Sequence, residues 1–204
     1  NDREAEQALR DVLATPKLPA DRRQEAEYEL GHLLVRVGRA KEGRETFLRA
    51  AEKQGSHQAE ALMALGDEAY AGGRYREGLD WYEKIFHKIR GVAPGFRARA
   101  VYNGAWAYLG LGETEKARLL FVEVLDDKEA LAEVRGDAAL RLAHLYRERG
   151  DGASADQMAA EAEKIAIESR HARIKDEVAV FRAESAFLQK KFDESLAYLS
   201  RVIE

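Results

Sequence analysis

ARAVYNGAWAYLGLGETEKARLLFVEV, residues Ala98–Val124, reads as two short amphipathic helices joined by a tight turn. Gly104 and Ala105 lie between Val101 and Tyr108 on one helical face. Gly112 interrupts the pattern, and Ala117, Phe121 and Val124 then recur at the three- and four-residue steps of side chains sharing one side of a helix. The stretch predicts a helical hairpin.

The same order of residue types returns along the chain: a small residue, an apolar or aromatic one, a turn residue, a second small residue, then a large apolar one. Its instances are Gly31, Leu34, Gly38, Gly43, Phe47; Gly66, Ala69, Gly73, Gly78, Tyr82; and Ala105, Tyr108, Gly112, Ala117, Phe121. Two looser copies follow, Ala143, Tyr146, Gly150, Ala155, Ala159 and Ala183, Ala186, Lys190, Ser195, Leu199. The leading residues are 35, 39, 38 and 40 positions apart, so the unit repeats without a fixed length. Upstream, Ala5, Leu9 and Val12 fit the second half of an earlier unit, and Pro16 and Pro19 mark the exit from it, because proline lacks the amide a continuing helix needs. The expected organisation is a half repeat at 1–15 and repeats at about 24–57, 59–93, 98–131, 136–170 and 176–204, forming one array.

Glycine inside a helix costs about 1 kcal/mol relative to alanine. Gly31, Gly43, Gly66 and Gly78 therefore predict places where two antiparallel helices cross too closely for a side chain. Gly38, Gly73, Gly112 and Gly150 predict left-handed residues just past a helix end. Phe47, Tyr82, Phe121 and Leu199 are expected core residues between successive helices. The basic stretch HKIRGVAPGFRAR, His87–Arg99, reads as a loosened linker and as a candidate contact for an acidic partner.

The 37 acidic and 33 basic residues are mixed along the chain, which argues against the gathered basic face of a nucleic-acid binder. No apolar run approaches the length of a membrane span, so no membrane contact is expected within this segment. Cysteine is absent, which excludes disulfide and thiolate chemistry. The chain opens on Asn1 in a helical pattern, and an excised segment of a longer protein is the expectation. Alanine and arginine content suggests a bacterial source, with cytoplasm and periplasm both open.

These residues resemble the tetratricopeptide repeat (TPR), a helix-turn-helix unit of about 34 residues with small residues at its eighth and twentieth positions and an aromatic at its twenty-fourth. The resemblance covers about five and a half units. It departs from the family at the fourth position, where Glu27, Leu62, Val101, Ala139 and Ala179 replace tryptophan, and in lacking the closing proline. It implies an all-α, right-handed superhelical solenoid of antiparallel helix pairs, whose first helices line a concave groove that holds another protein or peptide.

Mapped onto this chain, the family's groove positions fall on Glu25, Tyr28, Glu29, His32 and Arg36; on Met63, Asp67 and Tyr70; and on Arg99, Tyr102, Asn103 and Trp106. In the last two units they fall on Leu140, Arg141, His144 and Arg147, and on Phe181, Glu184 and Phe187. Tyr102, Asn103, Trp106 and Arg141 are the leading candidates, since aromatics beside arginine are characteristic of protein interfaces. Truncating Trp106 and Tyr102 is expected to abolish binding and leave the melting midpoint nearly unchanged. The carboxylate clamp of some TPR co-chaperones is matched only by Asn103 and Arg141. Met63, Asp67 and Asp137 hold its other positions and remove the positive charge.

No phosphate-binding loop, HExxH motif or nucleophile elbow is present. Glu29 with His32 and Glu168 with His171 repeat a Glu-x-x-His spacing, but the second pair sits in the polar run ESRHARIKDE, unsuited to a bundle core. No metal, cofactor or catalytic residue is therefore expected. The leading expectation is a non-enzymatic protein-interaction scaffold. A cell-envelope assembly subunit (polysaccharide export or outer membrane) and the regulatory repeat domain of a signalling protein or enzyme are the alternatives. Terminal helices bearing Leu9 and Val12, and Leu199 and Val202, could also stack on a second copy.

Overall fold

A helical hairpin closes when the first helix can end sharply and the second can lie close against it, and both conditions are met by single residues. In the computed structural model, which describes residues 1–52 and 54–203, Gly38, Gly73, Gly112 and Gly150 lie just past the end of a first helix with φ between 73° and 84°. The next amide in each case, at Arg39, Arg74, Glu113 and Asp151, donates back across the turn to Leu34, Ala69, Tyr108 and Tyr146 at 2.8–2.9 Å. This satisfies a carbonyl that the helix end would leave unpaired. The fifth hairpin makes the same bond, Lys191 to Ala186 at 2.9 Å, with Lys190 in the left-handed conformation. Lys53 and Glu204, the expected end of the last repeat, lie outside the described residues.

The described elements are all helical. They are α1 (Asp2–Ala14), α2 (Ala20–Arg36), α3 (Ala40–Glu52), α4 (Gln58–Ala71), α5 (Tyr75–Glu83) and a π-helical turn π1 (Lys84–Lys88). They continue with α6 (Pro94–Gly110), α7 (Thr114–Asp126), α8 (Ala132–Glu148), α9 (Gly152–Ser169), α10 (Ala172–Leu188) and α11 (Phe192–Ile203). The first helices α2, α6, α8 and α10 begin upstream of the repeat bounds read from the sequence, because their opening turns carry no part of the pattern. Pro94 occupies the first turn of α6, where its missing amide would have had no partner. His87–Arg99 is thus a much shorter connection than expected, and only 89–93 are outside helices. Among the described residues no helix is long and apolar enough to cross a membrane.

The chain divides into two compact units, Asn1–Val92 and Ala93–Glu204. In the first, α2 packs on α3, α3 on α4 and α4 on α5, while α1 rests on α2 with no buried residue of its own. Arg39 joins α1 to α3 by pairing with Glu6 at 2.8 Å and Glu42 at 2.6 Å. A Cβ at Gly31 would lie 2.5 Å from the Phe47 ring, and one at Gly43 would lie 2.9 Å from the Gly31 carbonyl. Only glycine allows that approach. At the next crossing Gly66 abuts Tyr82, whose hydroxyl is 2.7 Å from Asp67. Gln24, buried at the start of α2, donates to the Ala50 carbonyl at 2.7 Å and accepts from the His57 amide at 3.1 Å, fixing the connection between α3 and α4.

In the second unit the crossings use alanine. Ala105, Ala117, Ala143 and Ala155 are all buried, and Phe121 is the large side chain between α6 and α7. Its core continues through Leu140, Ala159, Ile174, Val178 and Phe181. First helices also touch one another, α6 with α8 and α8 with α10. Leu199, expected in the core, is 39% exposed, because no described element follows α11 to cover it.

Candidate functional site

Helices α6, α8 and α10 set their side chains side by side, and the most built-up polar and aromatic surface lies along them. Three residues of α6 and α7 form a cluster: the Tyr102 and Trp106 rings meet Phe121 at 5.6 and 6.1 Å between centroids, both edge-on. Arg141 of α8 lies over Trp106, its guanidinium carbon 4.8 Å from the ring centre. Its Nε is buried without a hydrogen-bond partner, and no described carboxylate forms an ion pair with it. Burial pushes the Tyr102 hydroxyl above its ordinary pKa, with the Asp137 charge adding to the effect and the neighbouring Trp106 and Arg141 opposing it. The aromatic layer is therefore half core and half surface. Removing both Tyr102 and Trp106 strips the packing from Phe121, which corrects the expectation of an unchanged melting midpoint.

Beside this cluster a cleft of about 580 Å³ opens between α8 and α10, lined by Leu140, Arg141, His144, Val180 and Phe181 among others. Arg147 supports the lining residues His144, Phe181 and Glu184 at one end. Its guanidinium lies 4.4 Å from the Phe181 ring centre, donates to the Phe181 carbonyl at 3.3 Å and pairs with Glu184 at 3.0 Å. It also approaches His144 Nδ1 at 3.2 Å, which requires that nitrogen to accept and places the ring proton on Nε2. Burial holds His144 below the usual histidine range, with the charges of Arg147 and Arg141 acting in the same direction. At the other end Arg173 reaches both Asp137 oxygens at 3.0 and 3.1 Å, Glu133 at 3.2 Å and Glu177 at 2.8 Å. Burial nevertheless raises the Asp137 carboxyl, against the opposing pull of Arg173. Arg173 is paired with carboxylates on its own and the neighbouring helix, whereas Arg141 rests on the Trp106 face beside the Tyr102 hydroxyl, with no described carboxylate in an ion pair with it.

The structure gathers Tyr102, Trp106, Arg141 and His144, with Asn103 half-buried on the same helix as Trp106. Phe181 is 1% exposed, a core residue and not a presented one. Arg99 is exposed over Phe96, and Phe187 is exposed against Phe192. In the first unit Met63 is 2% exposed and offers no surface, a second correction to the expected groove, because α3 and α5 pack around α4. Tyr28 stacks on His57 at 5.4 Å and meets His32 edge-on at 4.6 Å. Asp67 is engaged by the Tyr82 hydroxyl, and Tyr70 packs against Tyr75 at 5.3 Å, where burial raises its hydroxyl pKa. Arg173 was not legible as a site residue, since it lies in a polar run that reads as solvated and its partners on α8, Asp137 and Glu133, are 36 and 40 residues upstream. Among the described residues no group of three or more metal-ligating side chains occurs.

Neither a protein-family model nor a curated protein sequence matches this chain. Solved structures do. BtubC (BKLC) from P. vanneervenii is 18% identical with a TM-score of 0.76, over 98% of this chain and 86% of that one. Aspartyl phosphate phosphatase F from Bacillus subtilis is 15% identical with a TM-score of 0.75, over 98% and 59% of the respective chains. The nearly identical TPR-like repeats described under the name kinesin light chain in Podosopora anserina are 18% identical with a TM-score of 0.62, over 83% and 88%. At such identities the likeness is one of fold. Left-handed turns, paired small residues at each crossing and these structural neighbours together give this chain the all-α fold of the tetratricopeptide-type repeat proteins.

Proposed function

We propose that this chain is a non-enzymatic binding module, one repeat array whose first helices hold a peptide segment of a partner protein. The observation that carries the reading is Arg141: a cation stacked on Trp106 with a buried, unpartnered Nε, beside a cleft with an apolar floor. A guanidinium supported by an aromatic face and left without a carboxylate can donate to the carbonyls or carboxylate of a bound peptide. Trp and Arg at the centre of a half-buried surface are also the residue types that dominate interface energetics. The test is selection of displayed random peptides on the purified protein. Selected peptides should bind Arg141→Gln about tenfold more weakly, with no change in melting midpoint. Binding that survives Arg141→Gln undiminished would place the contact surface elsewhere.

A second reading concerns self-association. Phe187, Leu188, Phe192 and Leu196 are all more than half exposed on α10 and α11, a concentration of apolar surface unlike the scattered residues of an ordinary monomer face. We infer that this end stacks on a second copy, in the way successive repeats cover each other.

A further inference from the structure

Outside the face just described, the first unit contains a second cleft, of about 800 Å³, between the end of α3, the start of α4 and the segment α5–π1. It is built mainly on the second helices of two consecutive hairpins, with the opening turns of α4 between them. Leu48, Leu62 and Trp81 give it apolar walls, and Lys84, Lys88 and Arg90 bring three cations to it against the single lining carboxylate of Glu52. The Lys84 ammonium sits 3.6 Å from the centre of the Trp81 ring.

Two observations bear on these cations. None of the three forms an ion pair with a described carboxylate, whereas Arg36, Arg39, Arg44 and Arg74 of the same unit all do. Two of them, Lys84 and Lys88, bound a departure from α-helical geometry: the Ile89 amide bonds back to the Lys84 carbonyl at 3.2 Å, five residues away, in the widened turn π1. Such turns recur at functional sites because they re-aim side chains. Here the turn buries Ile85 and Phe86 while Lys84 and Lys88 line one cleft. Burial lowers the Lys84 ammonium, and Lys88 lowers it further, against the opposing charge of Asp80. The charge of a carboxylate brought to the cleft would act against both effects, as Asp80 does.

We propose that this cleft is a second binding site, for a short acidic segment of a partner protein that seats an apolar side chain against Trp81 and Leu62 and its carboxylates toward Lys84, Lys88 and Arg90. Charge complementarity fixes the occupant in a chain whose formal net charge is -4, so that this cluster is a local reversal of sign. A nucleic acid would need a longer row of cations to follow its phosphates, and the apolar walls would have nothing to receive from a phosphate backbone. The site is independent of the first-helix face and does not rest on it.

The experiment is an array of short peptides graded from basic to acidic, each carrying one Leu or Phe, probed with the labelled full chain. Retention should be confined to acidic members, weaken as salt rises, and fall about tenfold in Lys88→Glu/Arg90→Glu, whose two side chains are exposed and leave the core intact. Arg141→Gln should retain it, which distinguishes this site from the first. Lys84→Glu should weaken it further. Retention of basic and acidic peptides alike, no retention of acidic peptides, or retention unchanged in Lys88→Glu/Arg90→Glu would overturn the proposal. So would preferential binding of phosphatidylserine vesicles or single-stranded DNA.

Discussion

The hydroxyl of Ser195 on α11 donates to the main-chain carbonyl of Ala183 on α10 at 2.8 Å. Its position in the last hairpin is that of Gly78 in the second, where an added Cβ would lie 3.1 Å from the Gly66 carbonyl, and of Gly43 in the first. At this point of a hairpin one helix passes directly over a carbonyl of the other. Glycine leaves the space empty, and serine fills it with a donor. Ser195→Ala should therefore cost about 1 kcal/mol, and Ser195→Val, which crowds the carbonyl without bonding it, about 1–3 kcal/mol in urea denaturation.

Gly66 and Gly152 should respond to alanine with opposite signs. A Cβ at Gly66 would fall 2.8 Å from Tyr82 Cδ1, and that ring is buried and tied to Asp67, so the clash outweighs the gain in helix propensity. Gly152 opens α9 with nothing within 4 Å of an added Cβ. Gly66→Ala should lose about 1–3 kcal/mol, whereas Gly152→Ala should gain about 0.5 kcal/mol, both read from denaturation midpoints.

Lys190 holds the left-handed turn of the last hairpin at φ 61°, where the other four hairpins use glycine. Beyond its backbone the side chain is exposed and nothing offsets the strain. Lys190→Gly should raise stability by about 0.5–1 kcal/mol, and Gly112→Ala should lower it by about 1 kcal/mol. Equal midpoints for Lys190→Gly and the parent chain would contradict this account.

His144 lies below its unfolded pKa because burial and the charges of Arg147 and Arg141 disfavour its protonated form. As pH falls, the unfolded chain takes up this proton first, so stability is full above the unfolded value of about 6.5 and declines below it. His144→Gln, which can still accept from Arg147, should flatten the fall in melting midpoint between about pH 7 and about pH 5. An identical slope in both proteins would assign the acid sensitivity to other groups.

If the exposed end of α10 and α11 stacks on a second copy, sedimentation velocity should show concentration-dependent association. Leu188→Glu/Leu196→Glu should abolish it without loss of helicity, since these side chains are 70% and 65% exposed. A monomer at every concentration in the parent chain would remove this reading.

The order of small, turn and large residues was sufficient by itself to place five hairpins, because each of those positions is constrained by local geometry: a left-handed φ at Gly112, a close crossing at Gly31 and Gly66. The same logic placed Trp106 and Arg141 on first helices that the fold brings side by side. What the order of residues could not decide was which of those side chains remain presented. Met63 and Phe181 both fall on expected groove positions of their helices yet are enclosed by neighbouring helices, and Leu199 keeps a core pattern with nothing described over it. The ion pairing of Arg173 depends on Asp137 and Glu133, which meet it across a helix interface. Nor does a run of basic residues at 84–90 announce a cleft: the π turn and the approach of α3 create it. Local constraints are written in the spacing of residues along the chain, whereas burial and ion pairing belong to contacts between segments that the spacing leaves unspecified.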